Sequence, residues 1–334
     1  MKTQLIDNFN RKITSLRISV TDRCNFRCFY CMSEGEVEYY DRLEILTFEE
    51  IKKLSEIFVG LGVDKIRLTG GEPLIRRDIP RLIRQLAHLF IPRGDLKDLS
   101  LTTNGFMLKD LAEELYSAGL KRINVSLDSL NPDKFARLTR RDALHRVLEG
   151  LDVAEKCGFS PIKINVVAIR GFTEDEILDF ARMARTKPFV VRFIEFMPLD
   201  MDNRWGEIKF IPGEEIIDKI DAVYPLEPLD TSQNFYAAKR YRFKDDSGEI
   251  GIVSSVSEPF CGSCNRIRLT ADGKLRTCLF SLNETDLKSP MRNGVSDEEL
   301  KRIIIKAVNN KEAGHKIHTT GFVKPKRSMS MIGG

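Results

Sequence analysis

Six short runs between residues 13 and 197 share a pattern that few folds can satisfy. They are Ile13–Val20, Lys65–Gly70, Asp98–Thr103, Arg122–Asp128, Ile162–Ile169 and Val190–Met197. In each, apolar and polar residues alternate: Leu16 and Ile18 with Arg17 and Ser19, Ile66 and Leu68 with Arg67 and Thr69, Ile162 and Ile164 with Lys163 and Asn165. Side chains change face at every residue of a strand, so each run predicts one apolar and one polar face. Between the runs lie helical patterns, such as Ile51, Leu54, Phe58 and Leu61. Their starts are signalled by Thr47 with Glu50, Thr173 with Glu176, and Asn131-Pro132. Strand and helix in repetition imply parallel strands joined by crossover helices. Helices then cover the apolar face, and the polar face lines the inside of a curved sheet. A complete eight-stranded barrel fills its interior with branched apolar side chains. Arg, Lys, Ser, Thr and Asn in those positions predict a hollow one. An antiparallel sheet with one solvated face gives the same alternation and is the competing reading.

The expected class is α/β: an incomplete (βα)6 TIM-like barrel over 1–200, with a C-terminal α+β domain over 201–334 closing the barrel mouth. Trp205–Tyr224 reads as a loop and a helix, and Pro225–Gln233 as a linker. Lys239–Phe243 and Glu249–Val256 read as a hairpin, as do Arg266–Thr270 and Lys274–Cys278 around Asp272-Gly273. A two-residue turn there would set Cys278 opposite Ile267, flanked by Arg266 and Arg268. Ser296 with Glu299 opens a last helix, and Lys324–Gly334 reads as a mobile basic tail. Lys and Arg number 53 against 49 Asp and Glu, so the net charge of +4 argues for no nucleic-acid partner and confines any basic site to a local cluster. Neither a signal peptide at Met1-Lys2-Thr3-Gln4 nor an apolar run of membrane-spanning length is visible, and a cytoplasmic location is expected.

The seven cysteines fall into two sets of three, Cys24/Cys28/Cys31 and Cys261/Cys264/Cys278, with Cys157 apart. Cytosolic thiols seldom form structural disulfides. Structural zinc needs four Cys or His ligands, and for the second set His315 or His318 could complete a zinc tetrahedron. An iron–sulfur cube suits three cysteines better, because three thiolates on four irons leave one iron open to a small molecule. The first set, C-x3-C-x2-C, directly follows the first strand, on the rim where βα folds keep their active sites. Gly70-Gly71-Glu72-Pro73 follows the second strand; on its own it is only a turn, though its glycines permit close backbone approach. Cys157, before Gly158, reads as a small buried residue rather than a ligand.

The C-x3-C-x2-C loop followed by Gly-Gly-Glu-Pro resembles the radical S-adenosylmethionine superfamily. The second set of three cysteines narrows the resemblance to the GTP 3′,8-cyclase family of molybdenum cofactor biosynthesis. So do Ser19-Val20-Thr21-Asp22-Arg23-Cys24-Asn25, Leu101-Thr102-Thr103-Asn104-Gly105, Ile123-Asn124-Val125-Ser126-Leu127-Asp128, Arg192-Phe193-Ile194-Glu195-Phe196-Met197 and the terminal Gly-Gly. The loop after Cys31 is shorter than is common in that family. The resemblance implies a lyase with two [4Fe-4S] clusters, held by Cys24, Cys28 and Cys31 and by Cys261, Cys264 and Cys278. S-adenosylmethionine would meet Tyr30, Gly70, Gly71, Glu72, Ser126 and Met197. Its adenosyl radical would take the C3′ hydrogen of GTP, and the sugar radical would attack guanine C8, giving (8S)-3′,8-cyclo-7,8-dihydroguanosine 5′-triphosphate. GTP would be held by Arg17, Arg67, Thr102, Lys163, Arg192, Arg266 and Arg268, with guanine on the second cluster. Arg266, Arg268, Gly333 and Gly334 would serve catalysis. Electrons would come from a flavodoxin- or ferredoxin-like donor, the product would go to cyclic pyranopterin monophosphate synthase, and a homodimer is one option. The competing functions are another radical enzyme with an auxiliary cluster, for instance a peptide-modifying one, and a non-catalytic metal-binding module.

Overall fold

The computed structural model describes residues 4–33, 35, 37–90, 96–199, 205, 210–230 and 237–333. Gly334 and the last residues of the expected linker lie outside them. The expected strands form at β1 (Ser15–Ser19), β2 (Lys65–Thr69), β3 (Asp98–Thr103), β4 (Arg122–Ser126), β5 (Ile162–Ala168) and β6 (Phe189–Glu195). Neighbours pair in parallel in that order, which excludes the antiparallel alternative for this part. Crossovers run through α1 (Phe48–Gly60), α2 (Ile79–Ala87), α3 (Leu108–Ser117), α4 (Pro132–Thr139), α5 (Leu144–Lys156) and α6 (Ile177–Thr186). They cover the apolar strand face, where Leu16, Ile18, Leu68, Leu101, Val125, Ile164 and Val191 are fully buried.

The C-terminal segment does more than follow the barrel: it adds strands to both of its edges. After α7 (Gly213–Asp221) come β7 (Leu226–Pro228), β8 (Lys239–Phe243) and β9 (Glu249–Val253). Strand β9 pairs in parallel with β6, and β8 and β7 continue antiparallel. On the other edge β10 (Arg266–Leu269) pairs in parallel with β1, followed by β11 (Lys274–Arg276) and β12 (Thr285–Asp286). The described residues thus share one sheet of order β12-β11-β10-β1-β2-β3-β4-β5-β6-β9-β8-β7. Helices α8 (Lys288–Arg292), α9 (Asp297–Asn309) and α10 (Met329–Ile332) complete the chain. No helix among the described residues is long and apolar enough to cross a membrane.

Three expected caps form as read: Thr47 and Glu50 make a reciprocal capping box, Asn131 accepts from Lys134 N, and Ser296 accepts from Glu299 N. The Thr173–Glu176 box does not. The Glu176 carboxylate instead accepts from Ser129 Oγ, Leu130 N and Asn131 N, bracing the loop after β4. The linker reading of Pro225–Gln233 also needs correction, because β7 lies within it.

The second hairpin is shifted by one residue from expectation. Arg268 pairs with Arg276 and Leu269 with Leu275, and Gly273 adopts φ 80° in a three-residue loop, Ala271-Asp272-Gly273. Continued outward, that register sets Cys278 across from Arg266 rather than Ile267. The correction matters, since a one-residue slip exchanges the two faces of a strand. Cys278 therefore shares its face with Arg266, Arg268 and Arg276, while Ile267 points into the core.

The tail is not mobile over its described length. Arg327 forms ion pairs with Asp272 at 2.9 Å and Glu284 at 2.6 Å, and donates to Tyr40 Oη. Beyond it Ser328, Ser330 and Ile332 are buried. A cation in a terminal segment reads as solvated unless its acidic partners are known, and these lie some fifty residues away.

Candidate active site

The polar strand faces enclose a cavity of about 790 Å³. All six cysteines of the two sets line it, as do Tyr30, Gly70, Gly71, Glu72, Ser126 and Met197, and Arg17, Arg67, Thr102, Lys163, Arg192, Arg266 and Arg268. Gly333 lies close by: a Cβ there would come within 2.7 Å of Thr69 Oγ1 and 2.9 Å of Ser19 Cβ. Cys157 does not line the cavity and packs against the core.

Strand direction fixes where the two cysteine sets lie. Cys24 follows the C-terminal end of β1. Cys261 and Cys264 precede β10, which runs parallel to β1, and Cys278 follows the antiparallel β11. The sets therefore occupy opposite ends of the hollow, separated by the five residues of β1, or about 16 Å at about 3.3 Å per residue.

At the first end the chain folds tightly on itself. Gly71 N donates to Thr21 O at 2.7 Å and Glu72 N to Arg23 O at 2.8 Å. A Cβ on Gly70 would stand 2.7 Å from Thr21 O, and one on Gly71 2.3 Å from Arg23 O. These glycines are thus required by the loop carrying Cys24 itself. Gly71→Ala is expected to push that loop aside, lowering stability by roughly 1–3 kcal/mol and reducing iron uptake on reconstitution; a melting curve and an iron assay check both. Glu72 is buried, and its carboxylate accepts from Leu74 N, Thr103 Oγ1 and Asn104 N. Burial lifts its pKa to about 7. It ties the loop after β2 to the loop after β3. Asn104, which the sequence reading left out, also donates to Asn25 Oδ1 at 2.7 Å and faces Cys24 Sγ. Tyr30 is fixed by its hydroxyl, which donates to Asp128 Oδ2 at 2.6 Å.

Burial raises the Cys24 thiol to about 11 and Cys31 to about 12; Cys28 is also raised, by burial and then by Cys31. Three desolvated cysteines in one loop, once deprotonated, need a cation. Structural zinc takes four Cys or His ligands, and this loop offers three cysteines. A cubane takes each thiolate on a separate iron and leaves one iron without a protein ligand. His315 Nε2 meets Ser255 O and His318 Nε2 meets Val256 O, both at 2.9 Å. Around the second set, Arg11 donates to the carbonyls of Cys261, Glu312 and Ala313, a strap with no local sequence signal.

The cavity's cations repel one another. Burial, then Arg268, Arg266, Arg67 and Arg192, hold Arg17 well below its usual pKa. Arg192 falls to about 9, chiefly through burial, while donating to Asn124 and Asn165. Lys163 falls to about 7, through burial and then Arg192, Arg122, Arg67 and Arg240. Such a concentration of positive charge fits a polyanion. Arg122, Arg240, Lys65 and Asn165 also line the cavity and were not singled out in the sequence.

A family model described as "Radical SAM superfamily" matches residues 18–184, and one described as "Molybdenum Cofactor Synthesis C" matches 189–317. A protein named GTP 3′,8-cyclase from Rhodopirellula baltica is 46% identical over 334 residues, covering 99% of this chain and 92% of its own. Another of that name, from Syntrophomonas wolfei, is 46% identical over 330 residues, covering 99% and 100%. The chain belongs to the GTP 3′,8-cyclase family. Among solved structures, Streptococcus suis SuiB bound to S-adenosylmethionine matches with a TM-score of 0.60 over 88% of this chain and 69% of its own. At 13% identity that likeness speaks for the fold alone. As a GTP 3′,8-cyclase family member the chain is a radical S-adenosylmethionine enzyme, dependent on that cosubstrate and on iron–sulfur chemistry.

Proposed function

We propose that this enzyme binds GTP inside the barrel, between the two cysteine sets, and cyclises it between ribose C3′ and guanine C8 as the first step of molybdenum cofactor biosynthesis. The observation that carries this reading is a cation-lined cavity with a set of three cysteines at each end. Cys24, Cys28 and Cys31 would hold one [4Fe-4S] cluster and Cys261, Cys264 and Cys278 a second, each leaving one iron without a protein ligand. Once reduced, the first cluster would supply the electron that splits the sulfonium bond of bound S-adenosylmethionine into methionine and the adenosyl radical that takes the hydrogen from C3′.

The chain's own residues position and enclose. Gly70, Gly71, Ser126, Met197 and the Tyr30 backbone would seat the cosubstrate, with Glu72 holding that rim in place. Arg17, Arg67, Thr102, Lys163 and Arg192 would hold the nucleotide. Arg266 and Arg268 would face the purine beside the second set, and Gly333 would close the first end. An enclosed site protects a primary carbon radical from quenching and keeps the C–H bond close. In this reading residues 1–200 form the radical-generating domain and 201–334 the substrate-cluster domain. Electrons come from a flavodoxin- or ferredoxin-like donor. The product passes to cyclic pyranopterin monophosphate synthase. The enzyme works in the cytoplasm, with a homodimer as one arrangement.

Lys163 supplies a pH test. Its folded pKa of about 7 lies below the ordinary 10.5, so it loses its charge as the pH rises through neutrality, and a bound phosphate would favour recharging it. GTP affinity is therefore expected to fall as pH rises above about 7, and Lys163→Met should flatten that dependence. Equilibrium titration across the pH range checks it; an unchanged slope in the variant would remove Lys163 from the phosphate site.

A further inference from the structure

Four arginines of the cavity are in register across five neighbouring strands. Arg268 pairs with Arg17, Arg17 with Arg67, Arg67 with Ser100, and Ser100 with Arg122. Residues paired in this way project from the same sheet face, so the four guanidiniums form one girdle around the hollow. Arg17, Arg67 and Arg268 are accounted for above. Arg122 opens its strand, where its position in the sequence reads as a surface charge. We propose that Arg122 is a specificity-determining residue that binds the outermost phosphate of the nucleotide. The inference rests on the GTP reading of this cavity.

Arg122 holds the far end of the row. Arg268, at the other end, stands beside Cys264 and Cys278 and feels their charge. Four strand spacings of about 4.8 Å separate the two along the sheet, or about 19 Å before curvature shortens the span. An extended nucleotide anchored by its base near Arg268 thus brings its last phosphate toward Arg122. The Arg122 side chain is 38% exposed, at the water-facing margin where the most hydrated part of such a ligand would lie.

Its bonding leaves a gap. Nη1 pairs with Asp98 Oδ2 at 3.0 Å. Nε is buried and has no hydrogen-bond partner among the described residues. A buried donor left unsatisfied is costly, and a turn of the half-exposed guanidinium toward the cavity would give it a phosphate oxygen, a strong acceptor. Arg122 also belongs electrostatically to the phosphate group of cations, since it is among the charges that depress Arg67, Lys163 and Arg192. A shorter nucleotide would leave Arg122 paired with Asp98 alone.

The test is a cycle between residue and phosphate. Anaerobic holoenzyme without S-adenosylmethionine is titrated with GTP and with GDP, for the parent chain, Arg122→Gln and Arg122→Lys. Arg122→Gln is expected to weaken GTP about 10- to 100-fold, the range for a charged hydrogen bond, and to leave GDP unchanged. Arg122→Lys keeps the charge and the Asp98 pair but loses the fork, and should show a smaller loss confined to GTP. If Arg122→Gln does not fold, the lysine variant carries the comparison alone. Equal weakening of GTP and GDP, or no weakening of either, overturns the assignment. A parent holoenzyme that binds neither nucleotide overturns the GTP reading, and this inference with it.

Discussion

Changing any one of Cys24, Cys28 or Cys31 to Ser is expected to abolish reductive cleavage of S-adenosylmethionine, with or without GTP. The loss should be complete because each thiolate occupies its own iron, so removing one leaves a second vacancy in a cluster already short of a protein ligand. The three thiols line one end of the cavity and depend on a loop that Gly71 and Glu72 hold through backbone hydrogen bonds to Thr21 and Arg23. The check is the yield of 5′-deoxyadenosine from anaerobically reconstituted protein with dithionite. A variant that cleaves at the parent rate would remove that cysteine from the ligand set.

Changes at the other end should separate the two halves of the reaction. Cys261→Ser, Cys264→Ser, Cys278→Ser and the pair Arg266→Ala with Arg268→Ala lie a barrel length from the first set. They are expected to retain cosubstrate cleavage while GTP conversion falls by at least about 100-fold, the scale for losing a positioned electrostatic contact. Arg268 is buried and shares a face with Cys278, so its removal alters the purine end without touching the first loop. Both products are quantified from the same incubation. Equal loss of both would mean that the second set supports the fold rather than the substrate.

Much of this was legible in the sequence because strands buried on one face advertise the other. Arg17, Arg67, Lys163 and Arg192 each stand between apolar neighbours at a spacing of two, and the structure brings all four to one cavity. The cysteine loops were legible from spacing alone. What escaped depends on partners distant in the chain. Nothing near Arg266 announces that β10 lies parallel beside β1, some 250 residues earlier. Arg327 looked like part of a solvated tail because Asp272 and Glu284, which fix it, are remote. Glu176 looked like a capping residue because the competing loop at Ser129–Asn131 has no local signature. The hairpin at Asp272-Gly273 failed on a single residue: Ala271 belongs to the loop, and counting it as strand turns Cys278 toward the wrong face. Arg122 illustrates the same limit, since its place in the girdle emerges only from the pairing of five strands.

The central claim, that this cavity holds GTP with its ribose within reach of the radical generated at the Cys24 end, is tested most directly with GTP deuterated at C3′. Anaerobic incubation with reductant and S-adenosylmethionine should give 5′-deoxyadenosine carrying that deuterium, together with an equal amount of the 3′,8-cyclised nucleotide. Unlabelled 5′-deoxyadenosine and GTP recovered intact would contradict it.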